Sequence, residues 1–362
     1  MPSKSITKKR NKMKLLVITQ VVNEEDQVLG FMVGWLAELA RQTESLEVIC
    51  LSKGRFTLPA NVRVWSLGKE TGESRLKYLV NFYKYVWTRR RDYDAVWIHM
   101  NQVYVILGWV VWKFFNKPIS LWYAHGSVSW SLRLAEKLAY IIFTSAPKGF
   151  RLPSKKVKVV GQGIDLERFN NLQTVREVGL LVHAGRISRI KRQKELLESL
   201  ALISNTPWRL IFYGGPVTAD DEVYVEELKD LINNLGLNNR VTFAGPRPYS
   251  DLPKCLSEAE LFVTMSQTGS LDKAVLDAMA AGTIPIIAGE TFKQVLGDDG
   301  DLLLTSDQPE AFAQKVEEIL SLSPQAKADL RARLQKIIAE QYSLPALMQK
   351  IVSTLTDVTS TH

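Results

Sequence analysis

Apolar residues in this chain fall into short unbroken runs separated by longer stretches with helical spacing, and the alternation occurs twice. In the first half, residues 14–19 (KLLVIT), 46–51, 95–99, 119–123 and 157–160 read as strands. A strand covered on both faces shows a continuous apolar run instead of strict alternation. Between these runs, 73–91 places Leu76, Leu79, Val80, Tyr83, Val86 and Trp87 on one helical stripe, and 28–41, 104–115 and 131–143 also read as helices. A polar stretch at 170–177 precedes a second series. Its strands are expected at 179–183, 209–213, 240–244, 261–265 and 284–287, with amphipathic helices at 192–202 and 221–235 among those between them. Beyond Pro309 only helical patterns remain, ending with 343–355 and a polar tail.

Strands alternating with helices predict parallel sheets with helices on both faces. The expected fold class is α/β, with two Rossmann-like domains facing a central cleft. The predicted layout is a basic flexible tail at 1–13, a first domain at 14–170, a second at 171–340 and a C-terminal helix and tail at 341–362. In open α/β sheets ligands lie beyond the carboxyl ends of the strands, so the cleft is the expected site.

The 362 residues are enough for two cores, and 46% hydrophobic with 23% charged residues is the balance of a folded globular chain. The net charge of +8 is uneven: residues 1–170 hold 27 Lys and Arg against 13 Asp and Glu, and 171–362 hold 19 against 25. The basic half includes the tail MPSKSITKKRNKMK, which has no apolar core of its own and reads as a mobile arm, and eight of the nine tryptophans. Basic residues beside Trp and Tyr suit a surface that rests on anionic lipid headgroups, while core packing accounts for most individual tryptophans. The apolar run at 103–112 is half the length of about 20 residues that a bilayer requires. No apolar stretch precedes Leu15, so no secretory signal is expected. Cys50 and Cys255 stand far apart without a CxxC partner, which predicts reduced thiols in a cytoplasmic protein, peripheral at the inner face of the membrane.

The candidate chemistry lies mostly in the second half. Residues 266–285, SQTGSLDKAVLDAMAAGTIP, carry a polar Gly-containing loop into a helix whose first-turn N–H groups favour phosphate or sugar hydroxyls, with Asp277 further along for a second part of the same ligand. Gly282 and Pro285 close that helix. In HAGRISRIKRQ, Arg186 and Lys191 follow a strand and could neutralise a leaving diphosphate, though a pair of solvated cations is the plainer reading. FYGGP at 212–216 and FAGPRP at 243–248 pair a strand with a turn that lets backbone approach a ligand, and ordinary turns explain them as well.

Taken in order, VVGQGIDLERF, GRISRIK, FYGGP, FAGPRP and the 266–285 segment resemble the nucleotide-binding domain of retaining GT-B glycosyltransferases, most closely glycosyltransferase family 4, over about residues 160–290. The resemblance implies a nucleotide-diphosphate sugar as co-substrate, with no separate cofactor. It places Arg186 and Lys191 on the diphosphate and Asp277 on the ribose hydroxyls. Gly269, Ser270, Leu271, Asp272 and Lys273 then face the phosphate and the transferred sugar, with Gly215 and Arg247 completing the donor site. Two positions depart from the family pattern: Gly269 stands where a Glu is usual, and Asp277 replaces another Glu. In the first half LWYAHGSVSW matches the position of a His facing the donor sugar, which nominates His125; His99 is a lesser candidate, and His183 reads as packed.

The implied reaction retains anomeric configuration without a protein nucleophile. The departing phosphate takes the acceptor's proton, and the protein supplies positioning and charge stabilisation. No DxD-type metal motif appears in the expected place, so metal-independent transfer is expected. The expected partners are the donor, a glycan or lipid-linked acceptor and an anionic membrane surface, with no specific nucleic acid. A nicotinamide-dependent oxidoreductase is disfavoured because GQGIDL has Leu166 at the third glycine of the dinucleotide fingerprint. A sugar-nucleotide epimerase, an inverting transferase, and a non-catalytic membrane or nucleic-acid adaptor on a degenerate transferase fold remain alternatives.

Overall fold

The structure, a computed structural model, describes residues 12–266 and 269–360. The arm expected at 1–13 lies outside the described residues except for Lys12 and Met13.

The first sheet is built from β1 (Lys14–Val22), β2 (Ser45–Lys53), β3 (Val62–Ser66), β4 (Ala95–His99), β5 (Ile119–Trp122), β6 (Ile141–Thr144) and β7 (Val157–Val159). All seven are parallel, in the order β3-β2-β1-β4-β5-β6-β7. The helices α1 (Phe31–Gln42), α2 (Arg75–Thr88), α3 (Val103–Phe114) and α4 (Trp130–Leu138) connect and cover it. The second sheet has the parallel order β10-β9-β8-β11-β12-β13. Its strands are β8 (Leu180–Ala184), β9 (Arg209–Tyr213), β10 (Val241–Gly245), β11 (Leu261–Thr264), β12 (Ile284–Ala288) and β13 (Leu304–Thr305). Around it lie α5 (Gln193–Ala201), α6 (Ala219–Asn234), α7 (Leu252–Glu258), α8 (Lys273–Ala280), α9 (Lys293–Leu296), α10 (Gly300–Leu303), α11 (Pro309–Ser321) and α12 (Pro324–Gln341). The last helix, α13 (Leu344–Ser360), returns to the first sheet and buries Leu347, Met348, Ile351 and Leu355 against the core that holds Trp35, Leu36 and Leu39 of α1.

Each sheet reverses its strand order once, between β1 and β4 and between β8 and β11. At such a point the connections leave to opposite faces, so a crevice opens beyond the carboxyl ends. The loops after β8 and β11 carry GRISRIK and residues 269–273, so chain topology alone brings these two motifs together.

Three sequence expectations are corrected. The helix expected at 131–143 ends at Leu138, and Ile141–Thr144 is a fully buried strand between β5 and β7. Without Gly or Pro to mark the change, its apolar residues read as a continuation of the helix. Val62–Ser66 was not expected as a strand, because a lateral edge position leaves it half-buried, with Arg63 exposed. The stripe on α2 is also only partly right: Val86 and Phe82, a residue outside it, face the core, while Leu76, Val80, Tyr83 and Trp87 are exposed.

Candidate functional site

Beyond the second sheet's carboxyl ends, consecutive strands finish in glycines with positive φ: Gly185 at 145°, Gly214 at 136° and Gly245 at 74°. A Cβ at Gly214 would stand 1.9 Å from the Gly185 carbonyl oxygen, so only glycine lets these turns stack. Gly215 accepts from the Ile187 N–H at 3.1 Å, and its α-carbon faces Pro246 and the first domain's Gln27. The FYGGP turn therefore stands where the two domains meet. Arg247 is exposed on the loop after β10.

The two cations of GRISRIK have different surroundings. Arg186 is 41% exposed and lies 3.9 Å from Asp221, whose carboxylate caps α6 together with Thr218. Lys191 ends a short 3-10 turn before Arg192, a non-glycine residue in the left-handed region at φ 57°. Its ammonium reaches across to Asp272, with N···O at 2.5 Å. Asp272 is the N-cap of α8 and accepts from the Ala274 N–H at 3.2 Å. The first turn expected to offer its N–H groups to a ligand is thus partly capped by its own loop. Burial pushes the Asp272 carboxyl up, but the Lys191 charge and the hydrogen bonds from Lys191 and Ala274 outweigh it and hold the group below the usual carboxylate range. At the other end of α8, Gly282 takes φ 70°, its N–H bonds the Met279 carbonyl, and Thr283 bonds Ala278, which closes the helix as the sequence predicts.

Asp277 is buried, 3% exposed, and already engaged. Lys273, one turn earlier, binds both of its oxygens at 2.7 and 2.9 Å, and the Tyr249 hydroxyl donates to one of them at 3.2 Å. Lys273 also bonds the Tyr249 hydroxyl and sits 4.4 Å from that ring and 5.5 Å from the ring of Phe31 in α1. Arg168 also lies 4.6 Å over the Tyr249 ring while pairing with Asp165 at 3.5 Å. Gly30 makes this closure possible, since a Cβ there would press to 3.0 Å against Tyr249. Desolvation raises the Asp277 carboxyl against the pull of Lys273, lowers the Lys273 ammonium, and pushes the Tyr249 hydroxyl well above its ordinary value. The expected ribose carboxylate therefore lies under a plug made by α1, the 163–168 segment and α8.

On the first domain His125 is exposed after β5. The Ser127 N–H donates to its Nδ1 at 3.1 Å, which leaves the proton of the neutral ring on Nε2. Beside the first domain's Lys148 and Arg151, Gly269 is buried in the left-handed region at φ 76°, where a Glu would be strained. Ser270 is half-buried and Leu271 packs into the second core. His99 is enclosed by Trp35, Trp97 and Trp122, and burial lowers its pKa to about 3. His183 is packed between Phe212 and Phe262, and burial lowers it to about 4 despite a bond to the Val263 carbonyl.

The structure thus joins Lys191 to Asp272 and Lys273 to Asp277, and turns Arg186 toward Asp221. Sequence reasoning missed Tyr249, Arg168 and Asp165. The last two lie within GIDLERF, but nothing local shows Tyr249 meeting α8.

Residues 166–340 match the family model described as glycosyl transferases group 1. A GDP-mannose:cellobiosyl-diphosphopolyprenol alpha-mannosyltransferase of Xanthomonas campestris is 29% identical over 183 residues, covering 49% of this chain and 46% of that protein. A human GDP-Man:Man(3)GlcNAc(2)-PP-Dol alpha-1,2-mannosyltransferase is 28% identical over 147 residues, 40% of this chain and 30% of the other. The chain spans less than half the length of these curated relatives. Among solved structures, HepE of Anabaena in complex with UDP-glucose superposes with a TM-score of 0.77 at 19% identity, covering 95% of this chain and all of that one. Sucrose-phosphate synthase of Thermosynechococcus elongatus superposes at 0.75 with 16% identity, covering 96% and 100%. These structures show the two-domain fold.

Proposed function

The chain belongs to the glycosyl transferases group 1 family, glycosyltransferase family 4, and on that premise we propose that it moves a sugar from a nucleotide-diphosphate donor to a hydroxyl of a glycan or lipid-linked acceptor, with retention of anomeric configuration. The observation that carries this reading is the meeting of Lys191 and Asp272 where the second sheet reverses its strand order, beside the stacked turns of Gly185 and Gly214. A diphosphate placed there meets backbone that can approach closely, with Arg186 and Lys191 to neutralise it. Charge that develops on the leaving phosphate is then met by groups already in place. Asp272 keeps Lys191 oriented, and a diphosphate would compete for the same ammonium. Arg247 and Gly215 line the base side of this donor site, and Asp277 takes the ribose once Lys273 yields. His125 offers its Nε2–H toward the sugar from the opposite domain. The acceptor hydroxyl attacks on the face the nucleotide leaves, and the departing phosphate accepts its proton, so the reaction requires no metal and no protein nucleophile.

The acceptor side of the reading rests on the first domain's surface. Leu76, Val80, Tyr83 and Trp87 on α2 and Val103, Val110 and Phe114 on α3 are exposed, and the Tyr83 hydroxyl bonds the Leu107 carbonyl to join the two helices. Arg90 lies 4.9 Å over Trp87, and Lys113 lies 4.7 Å over Trp109. Apolar side chains rimmed by cations suit an anionic lipid surface, on which a lipid-linked acceptor would be presented. Turnover of a panel of UDP-, GDP- and ADP-sugars, followed by NMR, tests the function as a whole.

A further inference from the structure

Arg151, an exposed cation at the cleft, is in no ion pair among the described residues. Arg151 follows β6 in the first domain, and its guanidinium lies between two glycines from opposite sides. A Cβ at Gly126, next to His125, would stand 2.9 Å from the guanidinium carbon, and a Cβ at Gly269 would stand 3.4 Å from Nη2. An alanine at Gly126 would displace the guanidinium, whereas the Gly269 side meets it at ordinary contact distance. Lys148 borders the same slot, and its Cβ and carbonyl oxygen would each stand 3.4 Å from a Cβ at Gly269. The His125 N–H bonds the Gly149 carbonyl at 2.9 Å, so the turn that carries both cations is fixed to the His125 loop.

Four cations around the cleft have a carboxylate: Lys191 has Asp272, Lys273 has Asp277, Arg168 has Asp165 and Arg186 has Asp221. Among the described residues neither Arg151 nor Lys148 is in an ion pair, and the loop turns toward them a glycine with no side chain. A slotted guanidinium binds a planar oxyanion through two parallel N–H bonds, and a neutral hydroxyl gains much less from it. We propose that Arg151, assisted by Lys148, receives an oxyanion other than the donor diphosphate: a carboxylate on the transferred sugar or a phosphate on the acceptor. This rests on the transferase reading and adds that one substrate is acidic at the His125–Gly269 end of the cleft.

The test uses the full chain, Arg151→Met, and Gly126→Ala, which keeps the arginine but pushes it from the slot. The nucleotide is first fixed by titrating UDP, GDP and ADP; matched neutral and acidic donors, such as UDP-glucose and UDP-glucuronic acid, are then compared. With a sugar carboxylate as ligand, wild type prefers the acidic donor by at least about tenfold, and both variants lose that preference while the neutral donor binds as before. With an acceptor phosphate as ligand, donors bind alike, and both variants raise KM for a diphosphate-linked sugar acceptor while leaving a neutral glycoside acceptor unchanged. Either result supports the proposal. Equal weakening of the bare nucleotide diphosphate and every donor would assign Arg151 to the diphosphate and overturn it, as would no change in any measurement. If wild type binds no nucleotide at all, the transferase reading fails and takes this inference with it; intact nucleotide binding with neither a lost donor preference nor a raised acceptor KM in the variants removes the inference alone.

Discussion

Lys273 and Asp277 lie one helical turn apart on α8, and the lysine ammonium holds both carboxylate oxygens, at 2.7 and 2.9 Å, beneath Tyr249. The pair is buried, so neither charge can be removed alone without leaving the other unpaired. Asp277→Asn is expected to lower stability by about 3–5 kcal/mol, and Lys273→Met combined with it to recover most of the loss. The midpoints of urea unfolding measure both. The recovered double variant also tests function, because nucleotide affinity should fall at least about tenfold once the ribose carboxylate is gone. Undiminished affinity in that variant would remove Asp277 from the donor site.

Arg186 and Lys191 separate catalytic from structural roles. Each alanine variant is expected to reduce donor turnover by about 10²–10³-fold, the scale of losing one preorganised contact to developing charge. Arg186 is 41% exposed, so its removal should leave the unfolding midpoint near wild type. Loss of Lys191 should lower that midpoint, because Asp272 then keeps its burial without its partner. Intact turnover in both variants would show that the diphosphate lies elsewhere.

The tandem architecture was legible because parallel strands covered on both faces leave unbroken apolar runs, such as LLVIT in β1 and IPIIA in β12. The second β–α series was legible for the same reason, and with it the positions of Lys191 and Asp272. The α2 stripe misled because helical periodicity identifies an apolar face without saying what covers it. Nothing local to GFRLP shows that Arg151 lies between Gly126 and Gly269; chain reversal across two domains sets that contact. Tyr249 escaped for the same reason, whereas the spacing of Lys273 and Asp277 by four residues was a signal for their pairing.

The buried histidines predict acid sensitivity. His99 and His183 have folded values of about 3 and about 4, against an ordinary value near 6.5. The unfolded chain binds protons first, so stability is complete above about pH 6.5 and declines as pH falls toward the folded values. Each group contributes a slope of up to about 1.4 kcal/mol per pH unit in that window. Urea midpoints between pH 7 and pH 4.5 check this, and His99→Phe, which removes one titrating group from an aromatic cluster, should flatten the decline. A profile unchanged by that substitution would mean that His99 does not titrate on unfolding.

The exposed face of α2 and α3 predicts lipid selectivity. Full-length protein should sediment with vesicles containing anionic lipid and much less with neutral ones. Val110→Glu together with Phe114→Glu should abolish sedimentation without altering nucleotide binding. Equal pelleting with both kinds of vesicle, or none with either, would count against the membrane reading. A concentration-dependent dimer that the same substitutions dissolve would assign the face to a second copy of the chain.

Transfer with retention is read from NMR of the transferred or hydrolysed sugar. UDP-, GDP- and ADP-sugars are incubated with the protein in EDTA, and the anomeric signal is followed from the first turnover. One nucleotide class should be consumed in the absence of metal, and the first product should carry the donor's anomeric configuration. An inverted first product, or no consumption of any donor by folded protein with a lipid-linked acceptor present, would contradict transfer with retention.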